Sequence, residues 1–184
     1  CVVVEGGLEG LVSTVRDRRD AAAREEARCA AVDAILQIAT CWDGREWLLG
    51  LDGAEGMQFP DRVAPTLTLE QRDTLARDTC DALSAVLEME AGSPKLVKLA
   101  LHAVALITTV PRGLQLCLIA GALRSASQIL QGYCGDVQSG ECVLWTSSRS
   151  PHHALDCAIV THGVSVVYHI AMDDVGKRES LELP

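Results

Sequence analysis

Between Ser93 and Gln131 the apolar residues come in three bursts, each with helical spacing. In the first, Leu96, Val97, Leu99, Ala100, Ala103, Val104 and Ile107 recur at three- and four-residue intervals, which predicts an amphipathic helix with a wide apolar face. Ser93 followed by Pro94 is a start signal, because a small polar residue suits the N-cap and a proline at the next position has no amide hydrogen to leave unpaired. Pro111 and Gly113 interrupt the pattern, Leu114 to Ala120 form a second burst, and Gly121 breaks again. Leu123, Ala126, Ile129 and Leu130 carry the third. The stretch predicts helix, turn, helix, glycine and helix within about 40 residues, the length of one unit of a helical repeat.

The same pattern recurs. Residues 31–49 align without a gap on residues 100–118, at an offset of 69. Ala31 and Ala100, Ala34 and Ala103, Ile38 and Ile107, Thr40 and Thr109, Gly44 and Gly113, and Leu49 and Leu118 are then identical pairs. One unit is shorter than this offset, and the stretch 50–66 accounts for the excess. Rich in glycine and proline, it reads as an inserted loop in which Met57 and Phe59 are apolar. Thr68 and Gln71 then have the spacing of a capping box, and the helix they open should run to about Met89. Its buried stripe is expected at Leu69, Leu75, Ala76, Cys80, Leu83 and Leu87. At the N-terminal end, Gly6 and Gly7 precede Leu8, Leu11, Val12 and Val15 as Gly121 precedes Leu123. Towards the other end, Ser150 and Pro151 should start a helix to about Thr161, and Gly163 should break it as Gly121 does. Units are therefore expected at 1–16, 21–90, 93–131 and 140–174, with 175–184 a charged, frayed tail. The chain opens at Cys1 inside an apolar run, which reads as a piece of a longer protein.

Composition supports an all-α fold. Hydrophobic residues make up 48% of the chain and aromatics only 3%, so Ala, Leu and Val must fill the interior, and these suit close helix packing. The net charge of −9 repels phosphate backbones and anionic bilayers, which argues against direct nucleic-acid or membrane partners. Arg16, Arg18 and Arg19 are interleaved with Asp17 and Asp20, and read as a solvated helix end. No apolar run reaches the roughly 20 residues of a membrane span. The eight cysteines are scattered, mostly on apolar helical faces, which points to structural thiols in a reducing, cytoplasmic setting.

Ligand chemistry is concentrated in Cys134, Cys142, His152, His153, Cys157 and His162. His153 and Cys157 share a helix face, but Cys134 and Cys142 are too far apart for a zinc knuckle. A small metal-stabilised or thiol-dependent enzyme domain using this region, with Cys134, Cys142, His153 and Cys157 as ligands, is the alternative to a non-catalytic reading. The glycines at 6, 7 and 10 lack the Lys-Ser/Thr of a phosphate loop.

The alanine-rich first helices (Ala31, Ala34; Ala100, Ala103), the glycines at 6, 121 and 163, and the apolar helices after them resemble the armadillo family, with HEAT repeats close behind. The resemblance implies a right-handed α-solenoid that binds other proteins along a concave face lined by third helices. It implies a scaffold without catalysis or cofactor, whose partners are proteins of a larger assembly and the remainder of its own chain. Family members that capture basic transport signals carry Trp and Asn ladders, whereas this chain has no Asn and its Trp42 and Trp47 fall outside third helices. By the same resemblance, partner-binding residues would be Arg72 and Arg77 beside Asp78, then Arg124, Ser127 and Gln128, then Tyr168 and His169.

Overall fold

A computed structural model describes residues 7–17, 21–51, 68–89, 93–134 and 153–181. Helices account for 89% of these, and no strand occurs among them, so the chain is all-α as expected. In chain order the helices are α1 (Gly7–Arg16), α2 (Ala21–Ala39), α3 (Trp42–Leu48), α4 (Leu69–Met89) and α5 (Pro94–Ile107). They continue as α6 (Pro111–Ile119), α7 (Ala122–Cys134), α8 (His153–Met172) and α9 (Asp174–Leu181).

Long helices pack in two sets. α2, α5 and α8 lie against one another in that order, and so do α1, α4 and α7. Each member of the second set also packs on the next long helix in the chain: α1 on α2, α4 on α5, α7 on α8. The core includes Leu8, Val15, Val32, Ile35, Leu83, Leu96, Leu101, Ile107, Ile159 and Ile170, all essentially inaccessible. Small or branched side chains suffice because closely approaching helices leave little volume between them.

Each of α2, α5 and α8 ends in a tight turn and a short helix, and a single steric motif recurs there. A Cβ on Gly44 would stand 1.9 Å from the Ile38 carbonyl oxygen, and one on Gly113 would stand 2.3 Å from that of Ile107. On Gly176 it would stand 2.0 Å from that of Ile170. An isoleucine followed six residues later by glycine thus occurs three times, at one place in the structure. The start of the short helix is satisfied differently each time. Gly44 donates its amide to Cys41 Sγ at 3.3 Å. Val175 and Gly176 donate theirs to Asp173 Oδ2 at 3.0 and 3.4 Å. At α6 a proline at the first helical position lacks the amide hydrogen altogether.

This third copy corrects the expected phase. Gly163 is not a helix break but lies inside α8, in register with Ala31 and Ala100. Its missing side chain admits Leu130 of α7, whose Cδ2 would be 3.0 Å from a Cβ there. The expected frayed tail is helical from Asp174 to Leu181, because Gly176 supplies the same tight turn as Gly44 and Gly113. α8 also has the length and hydropathy of a membrane span, with a mean of 1.4 over Ala154–Met172, which the sequence reading overlooked. Within the fold it packs along both α5 and α7.

Of the other local expectations, the cap of α4 and the break at Gly121 are met, and two are not. Thr68 and Gln71 form the reciprocal cap, with Thr68 N donating to Gln71 Oε1 at 2.8 Å and Gln71 N to Thr68 Oγ1 at 3.2 Å. Gly121 ends α6 with φ +79°, a conformation that disfavours any Cβ-bearing residue. Leu69 departs from the expected stripe and is exposed on the first turn of α4, while Leu75, Ala76, Cys80, Leu83 and Leu87 are buried. Ser93 does not cap α5 with its side chain; its hydroxyl donates instead to Glu25 of α2 and ties the two helices together. Met57, Phe59 and the loop that contains them lie outside the described residues, as do Gly6 and residues 135–152.

Candidate interaction surface

The seven residues expected to line a binding face divide between the two helix sets. Arg124 and Gln128 are exposed one turn apart on α7 and share a face, with Ser127 half-buried beside them. On α4, Arg77 is exposed and Arg72 half-buried. Their five-residue separation turns them about 140° apart around the helix. Tyr168 and His169 belong to α8, in the other set, so they are not brought together with the arginines. Tyr168 is exposed, whereas His169 Nδ1 lies 3.1 Å from Oγ1 of Thr108, the C-cap residue of α5, and joins the two helices.

Ion pairs tie α4 to α1 and to the short helix α6. Arg16 of α1 donates to Asp78 Oδ1 at 2.8 Å and to the Asp78 carbonyl at 3.2 Å. Asp73 of α4 accepts from Arg112 of α6 and lies 3.9 Å from Arg77. These pairs are partly exposed, so each contributes only about 0–1 kcal/mol, and their larger effect is to fix which polar atoms face outward. A shallow, open dip of about 310 Å³ between α1 and α4 is lined by Glu9, Glu70, Gln71, Thr74, Leu75 and Asp78. It carries the acidity of the chain to this surface, and nothing in the linear spacing of Glu9 and Glu70 announces it.

Most of the candidate ligand cluster lies outside the described residues. Cys142 and His152 lie outside them, as do the side chains of Cys134 and His153. Cys157 is half-buried on α8. His162 stacks on His102 of α5, with ring centroids 4.1 Å apart and planes 8° from parallel. Burial holds both imidazoles below their ordinary basicity, and the neighbouring His102 and Lys98 help to bring His162 to a pKa of about 4. Sequence reading missed this pair because the two histidines are 60 residues apart and occupy different register positions. No group of three His, Cys, Asp or Glu side chains able to hold a metal occurs among the described residues.

The five described thiols form no disulfide with one another. Cys29, Cys80 and Cys117 are buried and Cys41 is exposed. The Cys117 thiol is held well above its ordinary pKa by its hydrogen-bonding contact with Cys80 and by complete burial, so it behaves as a protonated core group.

Comparison with known proteins leaves this surface to be judged on its own geometry: no family model, no curated protein and no solved structure matches the chain.

Proposed function

We propose that the chain is a non-catalytic protein–protein interaction scaffold, built as an armadillo- or HEAT-like α-solenoid. The observation that carries this reading is the threefold recurrence of isoleucine, tight turn and glycine at the ends of α2, α5 and α8. These helices lie side by side, and a second file of long helices, α1, α4 and α7, packs on them. A unit that repeats in sequence and packs on its own next copy is how stacked helical arrays bury a continuous core while leaving a long surface for partners. The polar face of α4 and α7, with Arg77, Arg124 and Gln128 exposed, is the surface such an array would offer. Its mixed charge suits a protein partner better than a polyanion, given the net charge of −9. Tyr168 and His169 drop out of that face, because α8 continues the α2–α5 file.

Affinity capture from source cells, comparing the natural chain with an Arg124→Glu, Gln128→Glu double variant, tests the reading. Both changes fall on exposed positions, so the fold should survive, as circular dichroism would verify. Loss of specific proteins by the folded variant supports the scaffold and locates its face. Identical recovery by both forms removes α7 from the binding surface.

A further inference from the structure

We infer that the joint between α5 and α8 is an acid-sensitive latch, in which the stacked His102 and His162 hold α8 on α5 while both rings are uncharged. Protonation lets α8 come away while α2, α4 and α5 stay packed. Such a latch concerns how two helices of this chain are held together and does not depend on what the chain binds. The geometry of the joint is what points to it. The imidazoles stack across it with centroids 4.1 Å apart and planes 8° from parallel, and both are half-buried. Rings so nearly parallel do not aim their nitrogen lone pairs at one point, so they are not placed as two ligands of one ion.

A charge on either ring is opposed twice over. Partial burial strips water from an imidazolium. Lys98, one turn before His102 on α5, bears on both rings, and His102 bears on His162. Like charges at the stacking distance repel strongly where solvent is thin. The carboxylates that could offset this are engaged elsewhere. Asp156 of α8 acts on Tyr133 of α7, and Asp174 of α9 pairs with Lys177. Around α5, Glu25 of α2 accepts from Ser93, and Asp73 of α4 is held by Arg112 of α6. Among the described residues, no carboxylate bears on either ring of the stack.

The α2–α5 joint has no such device. Aligned on the isoleucine before each tight turn, His162 corresponds to Leu99 of α5, and His102 to Asp33 of α2. That joint therefore carries neither half of the stack, and Asp33 is exposed. His169, the other histidine between α5 and α8, is not part of the latch either. Thr108 commits its hydroxyl hydrogen to the Ala105 carbonyl at 3.0 Å, so its oxygen accepts from His169 Nδ1 at 3.1 Å. A protonated His169 keeps that hydrogen and that bond. Acid thus acts through the stack. Release carries Ile159, Val166 and Ile170, fully buried on α8, towards solvent.

Hydrogen–deuterium exchange of the whole chain tests this, read by mass spectrometry at pH 7 and pH 5 and corrected for the intrinsic exchange rate at each. His162 has a pKa of about 4 when docked and an ordinary 6.5 when released. The opening of α8 should therefore rise about 20-fold over that range, while α2 and α4 keep their protection. His162→Leu, which installs the residue that α5 carries at the equivalent place, should abolish the rise. His102→Gln should reduce it, and it replaces the leucine variant should circular dichroism show that one unfolded at pH 7. Equal loss of protection in all helices overturns the inference, since the joint would then have no opening of its own. So does an α8 whose exchange is unchanged at pH 5, or a folded variant that opens as the natural chain does.

Discussion

The carbonyl oxygen of Ile107 stands 2.3 Å from the place where any residue other than glycine would put its Cβ at position 113. The obstacle is backbone, which cannot swing aside as a side chain can. Gly113→Ala must therefore open the turn between α5 and α6, at a cost of about 1–3 kcal/mol. The same substitution at Gly10 or Gly132, inside α1 and α7 with nothing within 4 Å of a new Cβ, should instead stabilise by about 0.5–1 kcal/mol. Thermal or urea melts of the three variants check the contrast. A neutral Gly113→Ala would remove the steric motif from the account of the fold.

Gly121 tests a different cause. A Cβ there meets nothing within 4 Å, yet its φ is +79°. Gly121→Ala should cost about 1–2 kcal/mol through left-handed strain alone. Gly121→Asn should recover part of that loss, because asparagine tolerates this region. Equal destabilisation by both would point to packing and not to backbone conformation.

Stability should fall on mild acidification because of His162. Its pKa is about 4 in the folded chain against an ordinary 6.5, so the unfolded chain binds the extra proton between these values. The contribution of the neutral ring is complete above pH 6.5 and is lost progressively as the pH drops towards 4. His102 acts in the same direction, with Lys98 as the facing cation. His162→Gln should flatten the melting temperature measured across this window. An unchanged slope would mean that the stacked pair does not control it.

Thr68→Ala removes one bond of the reciprocal cap on α4 and should cost about 1 kcal/mol. Gln71→Ala removes the other. Because the two bonds form one unit, the double variant should lose less than the sum of the single losses. Denaturant melts of the four proteins measure this coupling.

Thiol labelling should separate the cysteines by burial. With iodoacetamide under native conditions, exposed Cys41 should be alkylated first among the five described thiols, and Cys117 should react only on unfolding. Mass spectrometry of timed samples gives the order, and early modification of Cys117 would contradict its place in the core.

Much of the helical order was legible in the sequence, because helix starts and stops are written in local chemistry. Thr68 with Gln71, Pro94, Pro111 and Gly121 each marked a boundary that the structure places within a residue or two. Phase was harder. Gly163 and Gly121 look alike in sequence, yet one lies inside a helix to admit Leu130 and the other ends a helix with a positive φ. Only the third dimension tells a glycine needed for space from one needed for conformation. Gly176 went unread for the complementary reason: the charged residues around it resemble a frayed end, and its partner Ile170 is buried beneath it. The expected surface divided because α8 was assigned to the wrong file. The histidine stack depends on two helices meeting, which no local pattern records.

Where Gly44, Gly113 and Gly176 close their turns, the long helix and the short one after it are joined by at most three residues. The link from a short helix to the next long one is much less constrained in length. Gly121 makes it almost directly after α6, whereas 20 residues separate α3 from α4. Length variation, reporter tags and grafted peptides should therefore be accommodated after the short helices and rejected before them. The chain has fixed corners and adjustable ones, and relatives that gain or lose residues should do so at the adjustable corners.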